Sequence, residues 1–305
     1  MPVKIPYIRT FDFEYGVVDS LSPLVRRVIA NNPSSFTFTG TGTYLVGHGE
    51  VAVIDPGPAD AAHVDALLEA TAGETITHIL VTHTHMDHSP ACRMLQQHCD
   101  ARTWGFGPHG FGRPQVAEGE FGADDDFIPD FRVTDGQMIK GGSTADGGWT
   151  LECIHTPGHA SNHLSFHLAV ENALFCGDAV MGWSTTIVSP PDGNMKEYLS
   201  TLALLSNRDD QIYYPTHGAP ITRPGEFVSA LQEHRREREQ QVLEYLADGY
   251  TSVAAMVPVV YQNVDPSLHP AAARSLFATI ECLAQQGVIV SDSAITICAD
   301  YKLSG

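Results

Sequence analysis

The chain has 305 residues, of which 43% are hydrophobic and 17% charged, a composition that supports a buried core and excludes intrinsic disorder. This length exceeds one compact core, so we expect a large domain and a smaller one. The formal net charge of −19 disfavours nucleic acid and anionic membranes as partners, although bound dications would reverse the potential locally.

The amino terminus lacks the apolar region of a signal peptide, and no run of about 18 apolar residues would span a membrane. We therefore expect a cytoplasmic protein with no membrane partner. Six cysteines are scattered without CxxC or CxC spacing, which favours buried thiols over disulfides or a thiolate metal site.

The first part of the chain alternates strand and helix patterns, as in layered α/β folds. Strands are predicted over 36–46, 51–55 and 76–81, and helices over 59–72 and 91–98. Ser89 and Pro90 favour a helix start, with Ser89 as its N-cap. The glycine-rich, acidic stretch 105–135, which contains Asp124, Asp125 and Asp126, predicts a long surface loop.

The pattern changes beyond Pro224. Before it, strands are predicted over 149–155, 164–168, 173–176 and 212–214, with a helix over 195–205. After it come helices over 226–247, 252–261 and 270–286 and a hairpin of 288–290 with 294–298. This order predicts domains at 1–225 and 226–305, the second of them winged-helix-like.

The chemistry-bearing motif is His83-Thr84-His85-Met86-Asp87-His88, which follows a predicted strand. Imidazole and carboxylate ligands suit zinc and related divalent metals. Because the four side chains diverge from one short loop, they serve two adjacent ions better than one. The missing ligands are expected at other strand ends beside glycines, where His159, Asp178 and His217 occur.

These motifs resemble the metallo-β-lactamase superfamily, through VIDPG at 53–57, HxHxDH at 83–88, TPGH at 156–159, GD at 177–178 and HG at 217–218. The resemblance implies an αββα sandwich with the site at one edge of the sheets. It also implies that His83, His85 and His159 hold a first metal, that Asp87, His88 and His217 hold a second, and that Asp178 bridges them.

The likeness narrows toward the subgroup of β-lactamase-like protein two and its bacterial relatives. It rests on GTYLVG at 42–47, GDAVMGWSTTIVSPP at 177–191 and HRREREQQVLEYL at 234–246. Those relatives also carry a winged-helix-like carboxyl-terminal domain. The likeness does not imply β-lactam resistance, because the commonest secreted lactamases have cysteine at the position of Asp178.

The expected reaction is hydrolysis by a hydroxide that bridges two zinc ions, which lie about 3.5 to 4 Å apart and lower the pKa of water toward about 7. Asp87 and Asp178 are the expected catalytic carboxylates, with Asp87 orienting the hydroxide. Asp55 is the candidate acceptor for the second nitrogen of a ligand histidine. His163 is a candidate for either substrate contact or ligand support. Iron and manganese accept the same ligands and stay open.

We expect a small acyl substrate, a thioester, ester or lactone, in a pocket lined by Phe106, Phe111, Met181 and Trp183. The alternatives are a single-strand endoribonuclease, an iron-dependent oxidoreductase on the same fold, and a non-catalytic winged-helix binder. Arg235, Arg236 and Arg238 alternate with glutamates, so they predict a solvated helix face. The carboxyl-terminal segment is expected to serve the active-site architecture or formation of a homo-oligomer.

Overall fold

Two β-sheets face each other in a computed structural model that describes residues 3–113, 122–142 and 148–304. The first sheet contains seven strands in chain order. They are β1 (Val18–Ser20), β2 (Val25–Ile29), β3 (Gly42–Val46), β4 (Glu50–Ile54), β5 (Thr75–Leu80), β6 (Arg102–Gly105) and β7 (Phe131–Arg132). Pairing is antiparallel from β1 to β4 and parallel from β4 to β7.

The second sheet has five strands in the order β12-β11-β10-β9-β8. They are β8 (Met138–Gly141), β9 (Trp149–His155), β10 (Leu164–Leu168), β11 (Ala173–Gly177) and β12 (Ile212–Pro215). The pairs are antiparallel except β11 with β12, which run parallel. Tyr44, Leu151 and Phe166 belong to the apolar core between the sheets.

Helices cover the outer faces of both sheets. Helices α1 (Ala61–Ala70) and α2 (Ala91–Leu95) pack on the first sheet through residues such as Val64 and Leu95, and α3 (Met195–Ser206) packs on the second. The layers are therefore helix, sheet, sheet and helix, as the αββα prediction requires. Within the described residues no helix is both long and apolar enough to cross a membrane.

The carboxyl-terminal part consists of α4 (Pro224–Ala247), α5 (Val253–Val260), α6 (His269–Gln285), β13 (Ile289–Val290) and β14 (Lys302–Leu303). It has a core of its own, which includes Val242, Met256 and Ile280. The first half of α4 instead packs into the core around α3 through Phe227 and Leu231. One long helix thus belongs to both cores, and the domain boundary at 225/226 stays a prediction.

Two predicted strand assignments and one predicted helix cap differ from the structure. Residues 36–40 are not part of a strand, because Phe38 and Gly40 have φ values of 56° and 123°, which turn the chain. The hairpin partner of β13 is β14 and not 294–298. Its position follows from Tyr301, which is buried and whose N–H donates to the Thr251 carbonyl at 2.7 Å.

Ser89 does not cap α2. The N-cap residue is Pro90, without a side-chain hydrogen bond, and the Ser89 hydroxyl donates instead to the Asp124 carboxylate at 2.6 Å. Asp124 is itself buried, so part of the predicted surface loop lies inside the protein. Residues 114–121 of that loop lie outside the described residues.

Candidate metal centre

The HxHxDH motif occupies the loop between β5 and α2, where the buried strand ends. Two backbone hydrogen bonds connect this loop to Gly122 and Asp124 of the acidic segment, the stretch 105–135. The Met86 N–H donates to the Gly122 carbonyl at 2.9 Å, and the Asp124 N–H donates to the Thr84 carbonyl at 2.9 Å. The acidic segment therefore supports the ligand loop directly.

A first triad brings together His83, His85 and His159. His85 Nδ1 lies 2.9 Å from His83 Nε2 and 3.1 Å from His159 Nε2. One imidazole proton can satisfy at most one of these close nitrogen pairs. Three converging ring nitrogens therefore fit a shared cation better than a set of hydrogen bonds.

A second triad brings together Asp87, His88 and His217. Asp87 Oδ2 lies 3.1 Å from His217 Nε2 and 3.5 Å from His88 Nε2. The side chains of both histidines are at most 1% exposed, whereas that of Asp87 is 27% exposed. Asp87 is thus the most solvent-accessible ligand candidate of this triad.

Asp178 lies between the two triads. One of its carboxylate oxygens is 3.7 Å from both His88 Nε2 and His159 Nε2, and the other is 3.6 Å from His217 Nε2. Asp178 Oδ1 and His88 Nε2 are buried and form no hydrogen bond within the described chain. Buried polar atoms normally have partners, so these two unpartnered atoms fit a role in holding a metal ion. The imidazole and carboxylate donors of this set fit divalent metal binding.

The second ring nitrogens of three ligand candidates have neutral partners in the protein. The Nδ1–H groups of His159 and His217 donate to the carbonyls of Ile187 at 2.7 Å and Gly40 at 3.1 Å. His83 Nδ1 donates to the Thr82 hydroxyl at 3.0 Å. Each bond fixes a tautomer that leaves Nε2 unprotonated, as a metal ligand requires.

Asp55 is a buried carboxylate at the junction of the ligand-bearing loops. It accepts hydrogen bonds from His88 Nδ1 at 2.9 Å, from the Thr82 N–H at 2.8 Å and from the Thr82 hydroxyl at 2.7 Å. The Thr216 hydroxyl adds a fourth bond at 3.0 Å. Asp55 therefore orients His88 directly and His83 and His217 through the threonines that precede them.

His163 lies behind Asp178 and is buried. Its Nε2 accepts the Asp178 N–H at 3.1 Å, and its Nδ1 donates to the Thr156 hydroxyl at 2.8 Å. Burial and the neighbouring His159 hold its pKa well below the ordinary value. This neutral imidazole is placed to support the backbone of Asp178, and its burial leaves no surface for a substrate.

The two triads differ in electrostatics. Burial and the surrounding imidazoles keep the pKa of His83 well below its usual value and lower that of His85 to about 3. Burial acts in the same direction on His88 and His217, but the carboxylates of Asp87 and Asp178 outweigh it and raise both pKa values. Before any cation binds, protons are therefore held less tightly at His83 and His85 than at His88 and His217.

The aromatic residues expected to line a pocket lie in different surroundings. Trp183 stacks on Phe38 with ring centroids 4.9 Å apart. Both rings lie beside Gly218, the residue that follows His217. A Cβ atom added to Gly218 would be within 4.0 Å of each ring. Phe106 stacks on His155 at 3.9 Å, and Phe111 packs under the Arg132 guanidinium at 3.9 Å. Met181 is buried.

Several supporting groups were absent from the sequence-based prediction. Thr82 and Thr216 precede ligand histidines in the repeated dipeptide Thr-His, and this repeat was a readable signal. The carbonyls of Gly40 and Ile187 gave none, because every residue carries a carbonyl group.

Comparisons with known proteins agree with this geometry. Residues 37–217 match the Metallo-beta-lactamase superfamily and residues 252–296 the Beta-lactamase associated winged helix domain. An atrochrysone carboxyl ACP thioesterase from Aspergillus chevalieri is 31% identical over 83% of this chain and 75% of its own length. A beta-lactamase-like protein 2 homolog from Caenorhabditis elegans is 27% identical over 89% and 88% of the two chains.

Solved structures share the whole architecture. A beta-lactamase domain protein from Burkholderia ambifaria has a TM-score of 0.81 and 21% identity, and covers 98% of this chain and 97% of its own. A metallo-beta-lactamase family protein from Thermus thermophilus has a TM-score of 0.74 and 21% identity, over 93% and 100%. The sandwich and its carboxyl-terminal domain therefore occur together in other proteins.

Proposed function

Because this chain belongs to the metallo-β-lactamase superfamily, we propose that it is a dinuclear metal-dependent hydrolase of an acyl bond, in a thioester, ester or lactone. The observation that carries the proposal is the pair of ligand triads joined by Asp178. Divalent metals, zinc by preference, would polarise the acyl carbonyl there and lower the pKa of the attacking water.

The protein's own groups would then orient the reactants. Asp87 is the more accessible of the two carboxylates between the histidines, and its His88 and His217 neighbours, acting against burial, keep its pKa below the ordinary value. The ionised carboxylate is placed to accept a hydrogen bond from the attacking water. Asp55 and the carbonyls of Gly40 and Ile187 hold the imidazoles in place without entering the reaction.

An apolar rim beside the second triad supports an acyl substrate. The stacked Phe38 and Trp183 rings lie next to Gly218, and Met86, between His85 and Asp87, is 51% exposed. Ligand sites for small molecules combine such apolar surface with a few polar groups. The Aspergillus chevalieri relative is named a thioesterase, and a thioester is one of the acyl substrates in this proposal.

Charge disfavours a polynucleotide, which needs several cationic side chains to replace its counterions. The basic run on α4 does not supply them. Arg235 is buried, Arg238 covers the Tyr261 ring at 4.7 Å, and Arg236 pairs with Glu233 at 2.5 Å. The prediction of a solvated basic face was therefore wrong for Arg235, since its guanidinium packs inside the protein.

Single-stranded RNA is the second candidate substrate, since aromatic faces such as Phe38 and Trp183 also stack on bases. One preparation of metal-loaded protein decides between the two. We expect measurable kcat/KM for acyl thioesters or lactones, and its loss in His83→Ala. RNA cleavage that depends on His83, without acyl hydrolysis, would make the endoribonuclease the correct assignment.

A further inference from the structure

The segment Thr186–Pro190 connects the metal centre to the carboxyl-terminal helices. On the side of the centre, the Thr186 hydroxyl donates to the Asp178 carbonyl at 2.8 Å, and the Ile187 carbonyl accepts the His159 Nδ1–H at 2.7 Å. This segment therefore holds the His159 ring of the first triad and the backbone of Asp178, whose carboxylate lies between the triads.

The other side of the same segment is held by α4 and α6. Arg235 on α4 donates from its guanidinium to the Thr186 carbonyl. On α6, the Ser275 hydroxyl oxygen accepts the Val188 N–H at 3.3 Å, and the Arg274 guanidinium donates to the Pro190 carbonyl at 2.9 Å. Three side chains of the carboxyl-terminal part thus bind consecutive stretches of one short segment.

Arg235 is the central group of this contact. Its side chain is buried, with 5% of its surface exposed, and its guanidinium lies 4.9 Å from the centre of the Tyr198 ring. The Tyr198 hydroxyl donates to the Ala179 carbonyl at 3.1 Å, next to Asp178. Burying a guanidinium costs solvation energy, so its placement against this segment is a specific arrangement and not a surface contact.

Three of the four remaining candidate histidines are anchored inside the sandwich. His83 is held by Thr82, His88 by Asp55, and His217 by the Gly40 carbonyl. In contrast to these three histidines, His159 and Asp178 are held by the segment that the carboxyl-terminal helices bind.

We propose that the carboxyl-terminal helices position His159 and Asp178 for metal binding through the Thr186–Pro190 segment, with Arg235 as the main positioning residue. The inference rests on the proposed metal binding and adds a role for the winged-helix part. Without the Arg235 guanidinium, the Thr186–Pro190 segment is no longer held at a fixed distance from the two triads. Loss of Arg235 is therefore expected to weaken metal binding and not only to lower the stability of the fold.

The test compares Arg235→Met with Arg236→Met in the full-length protein. The second change removes the same type of side chain one residue away, where the guanidinium is exposed. Zinc affinity is measured by competition with a chelator, and the free energy of unfolding of the metal-free protein is measured in urea. We expect about tenfold weaker zinc binding in Arg235→Met, no change in Arg236→Met, and partial recovery in Arg235→Lys.

Ser275→Ala provides a milder variant in case Arg235→Met does not fold, because it removes one hydrogen bond and little volume. It is expected to weaken zinc binding in the same direction. Wild-type affinity in folded Arg235→Met, or in Ser275→Ala if the first variant does not fold, would overturn the positioning role. Absence of zinc binding in the wild type would overturn the proposed function together with it.

Discussion

The two ligand triads differ in charge and in what holds them. The first consists of imidazoles, and its His159 is oriented by a carbonyl from the segment that the carboxyl-terminal helices bind. The second contains Asp87, and its His88 is hydrogen-bonded to the buried Asp55 carboxylate of the sandwich. The same fold therefore orients His159 through a neutral carbonyl and His88 through a buried carboxylate.

The difference shows how a single site can depend on two parts of the protein. A carboxylate partner strengthens and orients a ligand imidazole more than a neutral carbonyl does. His88 of the second triad is then held more firmly than His159 of the first, whose carbonyl partner lies in the segment that the carboxyl-terminal helices bind. Asp178 contacts both halves and is expected to couple them.

Removal of Asp178 should produce the largest effect, because its carboxylate oxygens lie within 3.7 Å of ring nitrogens of both triads. We expect Asp178→Ala to retain at most one of the two ions and to lose at least about 100-fold in metal affinity and turnover. Metal content is measured by elemental analysis beside turnover.

Asp210→Ala is the matched control, because it removes another buried carboxylate, one that pairs with Arg208 at 2.6 Å. It should lower stability and leave the metal content unchanged. Wild-type metal content and turnover in Asp178→Ala would show that Asp178 does not join the triads.

Asp55→Asn should have the next largest effect. Asparagine tolerates the left-handed backbone at this position, where φ is 50°, so the substitution removes the charge and leaves the backbone. We expect about 10- to 100-fold weaker metal binding, with the greater loss at the second triad, where Asp55 contacts His88 directly.

Asp60→Asn is the control for that change, because Asp60 caps α1 and asparagine caps a helix equally well. Binding isotherms for the two ions separate the triads. Equal loss at both triads would mean that the relay through Thr82 matters as much as the direct bond to His88.

A smaller effect is expected from pH. Because the carboxylates raise the pKa values of His88 and His217, protons compete with metal at these two residues of the second triad at a higher pH than at His83 and His85. His83 and His85, whose pKa values are lowered, compete only in stronger acid. Dialysis from about pH 8 to about pH 5 should therefore release one ion before the other.

The order of release is read from the metal content of His159→Ala and His217→Ala, which each keep one intact triad. The variant that retains the second triad should lose its ion at the higher pH. Release from both variants at the same pH would contradict the electrostatic difference between the triads.

The clustering of the candidate ligands could be predicted because these residues follow a simple rule. His159, Asp178 and His217 each come after a strand and beside a glycine, and strand ends meet at one edge of the sandwich. The buried strands β9 and β10 have the bounds that their apolar patterns predict. The local sequence pattern was sufficient to place a strand wherever apolar and polar residues alternate regularly.

The remaining features depend on tertiary contacts that no local pattern encodes. The strand β2 contains Arg26 and Arg27 and escaped prediction, although Arg27 is buried and donates to the Gly218 carbonyl at 3.1 Å. Arg235 resembles its exposed neighbours in sequence and differs only because α4 packs on the Thr186 segment. Ser89 matched the capping pattern, but Asp124 offers it a stronger, charged acceptor.

The number of ions per chain tests the dinuclear centre most directly. Seven ligand candidates, His83, His85, Asp87, His88, His159, Asp178 and His217, exceed the four positions of one tetrahedral zinc site. Elemental analysis of full-length protein purified without added metal, paired with turnover of an acyl thioester, should give about two ions per chain, chiefly zinc, and activity that a chelator removes. One ion per chain with full activity, or activity that persists without metal, would contradict the account.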